Sequence, residues 1–374
     1  MKTDPYPNNM NYLTIIIKLV FVLVLINFLW IFVPDHFIGG ISIYNSIVSG
    51  RERLPFGEIP ESSYNLSLFN IDAMFSSHKI SASLDDDNLL IFLIGDSSIW
   101  GFLQKPEETL AGLLNEKFDQ KNIQVMNLGY PSISILKDAF LIDYAMRFDP
   151  DLIIWFTTLE ALPTDNQLSI PINANNPGRI NALINQYDLD GFVIQPQPIS
   201  ERTFWGQRRN LFDLIRLQIF GFLWDATGID QEYPDNYRQA LRDFPNPTLE
   251  FHGLKESQDL ADHISLDVIN KVINHNPNTD FVLINEPILI SSGENSHLQY
   301  NFYYPKWAYD SYREIINNFT EINGIKYYDF WDIVPENEFT NSAIHLTANG
   351  EIILAEKISL IITQYIGDLN QNAK

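Results

Sequence analysis

Leu90-Ile91-Phe92-Leu93-Ile94-Gly95-Asp96-Ser97-Ser98 decides how the rest of the chain is read. An apolar run of strand length that halts at Gly-Asp-Ser reads as a buried strand delivering a serine to a sharp turn. Far along the chain, Ile344-His345-Leu346 places an imidazole just ahead of the last helix. A lone serine hydroxyl is a poor nucleophile at neutral pH, and a neighbouring imidazole that takes its proton changes that.

Outward from this stretch a rhythm appears. Leu89–Ile94 is followed by a helix over Pro106–Phe118, with Pro at its first turn and Glu107 and Glu108 at the positive end of its dipole. Ile123–Leu128 reads as a second strand and Ser134–Phe148 as a second helix. Asp149-Pro150-Asp151 then turns into a third buried strand, Leu152–Thr157. Strands that start roughly 30 residues apart with helices between them are βαβ units, which imply a parallel sheet covered on both faces. The rhythm breaks from about 163 to 256, a stretch rich in Asn, Pro and Gln that reads as an insertion or cap. It resumes with a helix at about 257–274, a strand over Phe281–Ile284, a helix over Tyr309–Phe319, a strand over Ile325–Tyr328 and a last helix from near Thr347 to about Tyr365.

Within the insertion, Leu211–Trp224 (LFDLIRLQIFGFLW) is strongly apolar and follows Arg208-Arg209. Two readings stand: a helix resting on a membrane or a lipidic substrate, and, favoured, a helix buried against the main domain.

The 374 residues allow one large or two modest domains, and a hydrophobic share of 45% supplies a sizeable core. A net charge of −23 argues against a nucleic-acid partner, which needs clustered Lys and Arg. With no cysteine, disulfides, thiolate metal sites and cysteine nucleophiles are excluded. No histidine cluster has metal-ligand spacing, so neither a metal nor another cofactor is expected.

After an N-terminal tail (1–12), residues 13–33 (LTIIIKLVFVLVLINFLWIFV) match the ~20 needed to cross a bilayer. Tyr12 and Trp30 sit where interfacial aromatics belong. Val33-Pro34-Asp35-His36 offers no small-residue cleavage site, which favours an uncleaved anchor over a signal peptide. Lys2 and Lys18 favour a cytoplasmic N-terminus, against Arg51 and Arg53 farther along, so the expected localisation is single-pass with the catalytic part outside the cytoplasm. Residues 34–88, with their Gly, Pro and the acidic run Asp85-Asp86-Asp87, read as a stalk and lead-in to a domain spanning 89–374.

Reactive groups in open parallel sheets gather at the carboxyl ends of the strands. Ser97, Gly129, Thr157 and Thr158, Asn285-Glu286 and the loop from Asp329 to His345 all follow strands, so they are expected on one rim. The six other histidines (His36, His78, His252, His263, His275 and His297) lack this context and read as surface or structural.

Three stretches together resemble the GDSL or SGNH hydrolase family: Gly95-Asp96-Ser97, Asn127-Leu128-Gly129-Tyr130 and Asn341 to Gly350. The resemblance covers roughly 89–160 and 280–365. It implies a three-layer, flavodoxin-like α/β fold, Ser97 as nucleophile, His345 as base, and an oxyanion hole that includes the N–H groups of Ser97 and Gly129.

Two departures accompany it. The third block is degenerate: Trp155-Phe156-Thr157-Thr158-Leu159-Glu160 lacks the family's oxyanion asparagine, leaving the Thr158 hydroxyl, or Asn285, as the substitute donor. The family's Asp three residues before the His is replaced by Ser342, with Asn341 one position further back. An asparagine carbonyl can hold the productive tautomer but cannot stabilise an imidazolium as a carboxylate does. Asp329 or Asp332 are the other candidates for that place.

Asn285-Glu286-Pro287, Gly293-Glu294-Asn295-Ser296 and Tyr300 to Tyr304, with Trp307, interleave amides and aromatics in a way that suits a sugar face, with an ordinary aromatic-rich loop as the favoured reading. The expectation is a membrane-anchored serine esterase or O-acyltransferase. Its partner would be an acylated small molecule or glycan, such as an envelope polysaccharide. The alternative is a non-catalytic glycan-binding or assembly protein on the same scaffold.

Overall fold

A computed structural model describes residues 12–33, 43–48, 50–57, 68–81, 88–119, 121–193, 196–228 and 237–372. The acidic run at 85–87 and His36 lie outside them. Five parallel strands, β1 (Leu89–Ile94), β2 (Ile123–Asn127), β3 (Leu152–Thr157), β4 (Asp280–Asn285) and β5 (Tyr327–Asp329), form one sheet in the order β2-β1-β3-β4-β5. The helices, in chain order, are α1 (Tyr12–Leu29), α2 (Ile43–Ile47), α3 (Ile71–Ser77), α4 (Ser97–Trp100), α5 (Leu110–Phe118) and α6 (Ile135–Ala145). They continue with α7 (Pro171–Asn175), α8 (Pro177–Gln186), α9 (Arg208–Thr227), α10 (Asp267–His275), α11 (Lys306–Asn323) and α12 (Ala348–Asn372).

The apolar runs are continuous because both faces of the sheet are covered. Along β1, Leu90, Phe92 and Ile94 enter one core with α6, α10 and α11, while Ile91 and Leu93 enter the other with α5 and α12. The result is a three-layer α/β body with the flavodoxin-like strand order. From β1 the chain moves outward to β2, then crosses back to β3 on the other side. That reversal opens a crevice at the carboxyl end of β1, where ligands bind in such sheets. Ser97 is placed there by the turn that follows Ile94.

Two expectations are corrected. The lead-in is not a stalk: among its described residues Leu54, Leu68 and nearly all of α3 are buried in the first core. Arg53, fully buried, lies over the Trp100 ring with 4.3 Å to its centroid and donates to the carbonyls of Gly101 (2.9 Å) and Gln104 (3.0 Å). Arg51 and Arg53 are therefore structural, not loose juxtamembrane charges. The helix expected over 257–274 begins only at Asp267, because Leu260 and Leu266 anchor an irregular segment ahead of it.

The insertion shares the first core through Ile172, Ile180, Leu183 and Leu217. The only described helix long and apolar enough to cross a membrane spans Tyr12–Phe32, with mean hydropathy 2.8 and no part of it buried.

Candidate active site

Gly95 and Asp96 follow β1, and Asp96 caps the short helix α4, its carboxylate accepting from Ser98 N–H at 2.8 Å. Ser97 is the first residue of that helix, so its N–H has no intrahelical acceptor and faces outward. Gly101, at φ +83°, closes the helix in a left-handed conformation that suits glycine. The block after β2 packs against this turn: a Cβ on Gly129 would stand 2.5 Å from Trp100 N, so only glycine lets the two backbones approach.

Ser97 and His345 meet across 248 positions, with Ser97 Oγ 2.7 Å from His345 Nε2. On the other side of the ring, Nδ1 lies 2.7 Å from Asn341 Oδ1. An amide oxygen only accepts, so Nδ1 carries the proton and Nε2 is left to accept from the serine. Phe102 stacks on the imidazole at 4.5 Å and 18°. Ser97 is half-buried and His345 buried. Burial lowers the His345 pKa to about 3, keeping the ring a neutral base across the physiological range.

The structure does not bring every sequence candidate to this rim. Thr158 is wholly buried, its hydroxyl 3.0 Å from Tyr304 Oη, because the residue after β3 turns inward under α11. Asn285 is likewise buried, donating to Asp329 (2.8 Å) and accepting from Tyr309 (3.1 Å) and Tyr312 (3.2 Å). Asp329 is held by Arg313 at 2.6 Å and Asp332 is exposed; the side chain that meets His345 Nδ1 is Asn341. Gly129 N–H already donates to Asn127 Oδ1 at 3.1 Å. Of the proposed oxyanion donors, the Ser97 N–H is the one the geometry leaves available. The expected sugar face is also reduced, since Tyr300 and Tyr304 are core residues and Trp307 donates to the Leu249 carbonyl at 2.8 Å.

Beneath the serine lies a buried ionic network that sequence reading missed. Ser98 Oγ donates to Glu286, which faces Asp96. Burial, then the Asp96 charge, pushes the Glu286 carboxyl well up, so Glu286 holds the proton the pair shares. Lys137, fully buried, pairs with Asp138 at 2.5 Å and donates to the Gly95 carbonyl at 2.8 Å, bracing the turn from below. Tyr303 is half-buried nearby; burial pushes its pKa up, and the charges of Asp96 and Glu160 add to that. Glu160, just past β3, meets His252 of the insertion at 3.0 Å. His78 is structural, its Nε2 3.1 Å from the Asn127 carbonyl. Among the described residues no group of three or more His, Cys, Asp or Glu could hold a metal ion.

No family model and no curated protein matches the chain. Solved structures do. A member of the lipolytic G-D-S-L family from Veillonella parvula is 11% identical, with 73% of this chain and 97% of that chain covered and a TM-score of 0.36. The psychrotrophic esterase EstA of a Pseudoalteromonas species is 10% identical, covering 75% and 100%, with a TM-score of 0.36. A carbohydrate acetylesterase family member from Sinorhizobium meliloti is 10% identical, covering 74% and 99%, with a TM-score of 0.34. Likeness this distant decides nothing about chemistry, which rests on the side chains at the rim.

Proposed function

We propose that this chain is a membrane-anchored serine esterase or O-acyltransferase. The observation that carries the reading is the relay Ser97 Oγ, His345 Nε2, His345 Nδ1, Asn341 Oδ1, with both links at 2.7 Å. Ser97 Oγ attacks the carbonyl carbon of an acyl ester while His345 Nε2 takes the hydroxyl proton. Negative charge moves to the carbonyl oxygen, next to the Ser97 N–H. The ester bond breaks, the leaving alcohol receives the proton from His345, and the acyl group stays on Ser97. Water or an acceptor alcohol, deprotonated by His345, then releases it, and the proton returns to Ser97. Hydrolysis and transfer differ only in that second nucleophile. An acylated glycan is the substrate class we favour, and α1 holds the reaction at a membrane.

A fluorophosphonate probe tests the chemistry. Covalent labelling of the intact chain is expected, abolished in Ser97→Ala and strongly slowed in His345→Ala. A folded protein that resists the probe at every pH would instead favour the binding-module reading, which the withdrawn Thr158 and the engaged Gly129 N–H support.

A further inference from the structure

Helix α9 presents two apolar faces where a surface helix needs one. Asp213, Leu217, Gly221 and Trp224 point inward, and Gly221 lets the helix press against the Tyr44 ring. On the opposite side Phe212, Ile215, Ile219 and Leu223 stand 61, 53, 59 and 40% exposed. Their spacing of three, four and four residues draws one narrow stripe down the helix. Ile43 and Ile47 of α2, which is tied to α9 by Gln218 Oε1 accepting from Ile43 N–H at 2.8 Å, are exposed as well. An apolar patch of this extent on a soluble surface marks a contact.

The stripe is also kept free of negative charge. In a chain of net charge −23, the only carboxylate on α9 before Asp225 is Asp213. It is buried, accepting from Phe69 N–H at 3.0 Å and from Arg216 at 3.1 Å. Arg208 and Arg209 open the helix instead.

What covers the stripe is indicated by where it starts. The segment leading into α9 is fastened to the end of α1: Phe204 N–H donates to the Asn27 carbonyl at 3.2 Å, and Trp205 N–H to Asn27 Oδ1 at 2.9 Å. Trp30 meets the Phe204 ring edge-on at 5.1 Å. A cavity of about 280 Å³ beside that junction is lined by Trp30 together with Arg202 and Asn210, donors of the kind that suit phosphate headgroups. The stripe thus begins beside the C-terminal end of α1.

We infer that the Phe212–Leu223 face of α9 beds into the interface of the bilayer that α1 crosses, so that the body lies on the lipid surface. The inference rests on α1 being a membrane span. It gives the exposed side chains an apolar partner, with the arginines at the helix start reaching headgroup phosphates.

The chain has no cysteine, so single labels can be placed cleanly. Ile219→Cys, Val22→Cys on α1 and Ile322→Cys on α11 would each carry the fluorophore NBD. The full chain is then reconstituted in phosphatidylcholine–phosphatidylglycerol vesicles with and without doxyl-labelled lipid. Quenching by the doxyl lipid is expected at 22 and 219 and several-fold weaker at 322. Quenching at 22 without quenching at 219 overturns the inference while leaving the anchor intact. No quenching at 22 overturns the anchor itself. Equal quenching at 219 and 322 removes any special role for α9. Protection of 219 from aqueous iodide without lipid quenching, lost at one copy per nanodisc, would assign the stripe to a second copy of the chain and also overturn it.

Discussion

At the scale of single residues, the decisive substitution is asparagine where a serine triad usually carries a carboxylate. The Asn341 oxygen fixes the tautomer of His345 without offering charge to the imidazolium that would form if, as proposed, Ser97 gives up its proton. Burial alone sets the His345 pKa at about 3. A lowered histidine pKa means the base form persists as the solution is acidified. On an activated ester, kcat/KM is therefore expected to hold from neutral pH down to about pH 4, provided the fold survives. Asn341→Asp should raise the acid limb by roughly 1–3 pH units, the shift a nearby opposite charge produces, and raise kcat. An acid limb near pH 6.5 in the unaltered chain would contradict this. Ser97, His345 and Asn341 were legible because motif and topology together place them on the carboxyl edge of the sheet. Glu286 is placed on that edge by the same topology, but its pairing with Ser98 is not legible, since nothing local to a glutamate after β4 says that it will meet a serine 188 positions earlier, and nothing marks Phe102 as the ring that stacks on His345.

At the scale of elements, the short helix that carries Ser97 depends on a segment that reads as a tether. Arg53, fully buried, donates to two carbonyls just past the C-terminal end of α4, at Gly101 and Gln104. Arg53→Ala would leave the buried Gln104 carbonyl without this donor, at about 1–3 kcal/mol for an unpaired group, while the Gly101 carbonyl keeps the Gln104 N–H at 3.1 Å. Thermal unfolding in detergent micelles should show a large drop in midpoint, and probe labelling at Ser97 should fall with it. Deleting 34–88 should abolish folding, whereas a detached stalk would be dispensable. The strands were readable from their apolar runs, and β3 matches its expected limits, Leu152–Thr157. The lead-in was not, because glycines, prolines and arginines have the composition of a linker. Only tertiary contacts with Trp100 and Asn127 show otherwise. Likewise Leu211–Trp224 reads as apolar and is helical, yet composition does not reveal that four of its ten apolar side chains are exposed.

At the scale of the whole molecule, buried titratable groups set the dependence of stability on pH. His78 and His345 are each lowered to about 3, so they are protonated more readily in the unfolded chain. Their stabilising effect is complete above about pH 6.5 and is lost as pH falls toward 3. Glu351, raised to about 8 by burial, has the opposite sign: its contribution is complete below about pH 4.5 and is lost as pH rises through 8. Glu286, also raised, adds to that alkaline loss. The unfolding midpoint is therefore expected to peak between about pH 4.5 and 6.5 and to decline on both sides. Glu351→Gln should flatten the alkaline decline, and a midpoint that keeps rising to pH 9 in the unaltered chain would contradict the assignment.

The body is gripped at two separate places by the N-terminal part of its own chain: Asn27 on Phe204 and Trp205, and Arg53 under the serine's helix. A protein leashed at one flexible joint sweeps a hemisphere and samples whatever drifts within it. One bolted at two points cannot pivot, and its nucleophile works at a single altitude. Under the proposed function, acyl groups would then be selected by how far they project from the surface before any pocket inspects them.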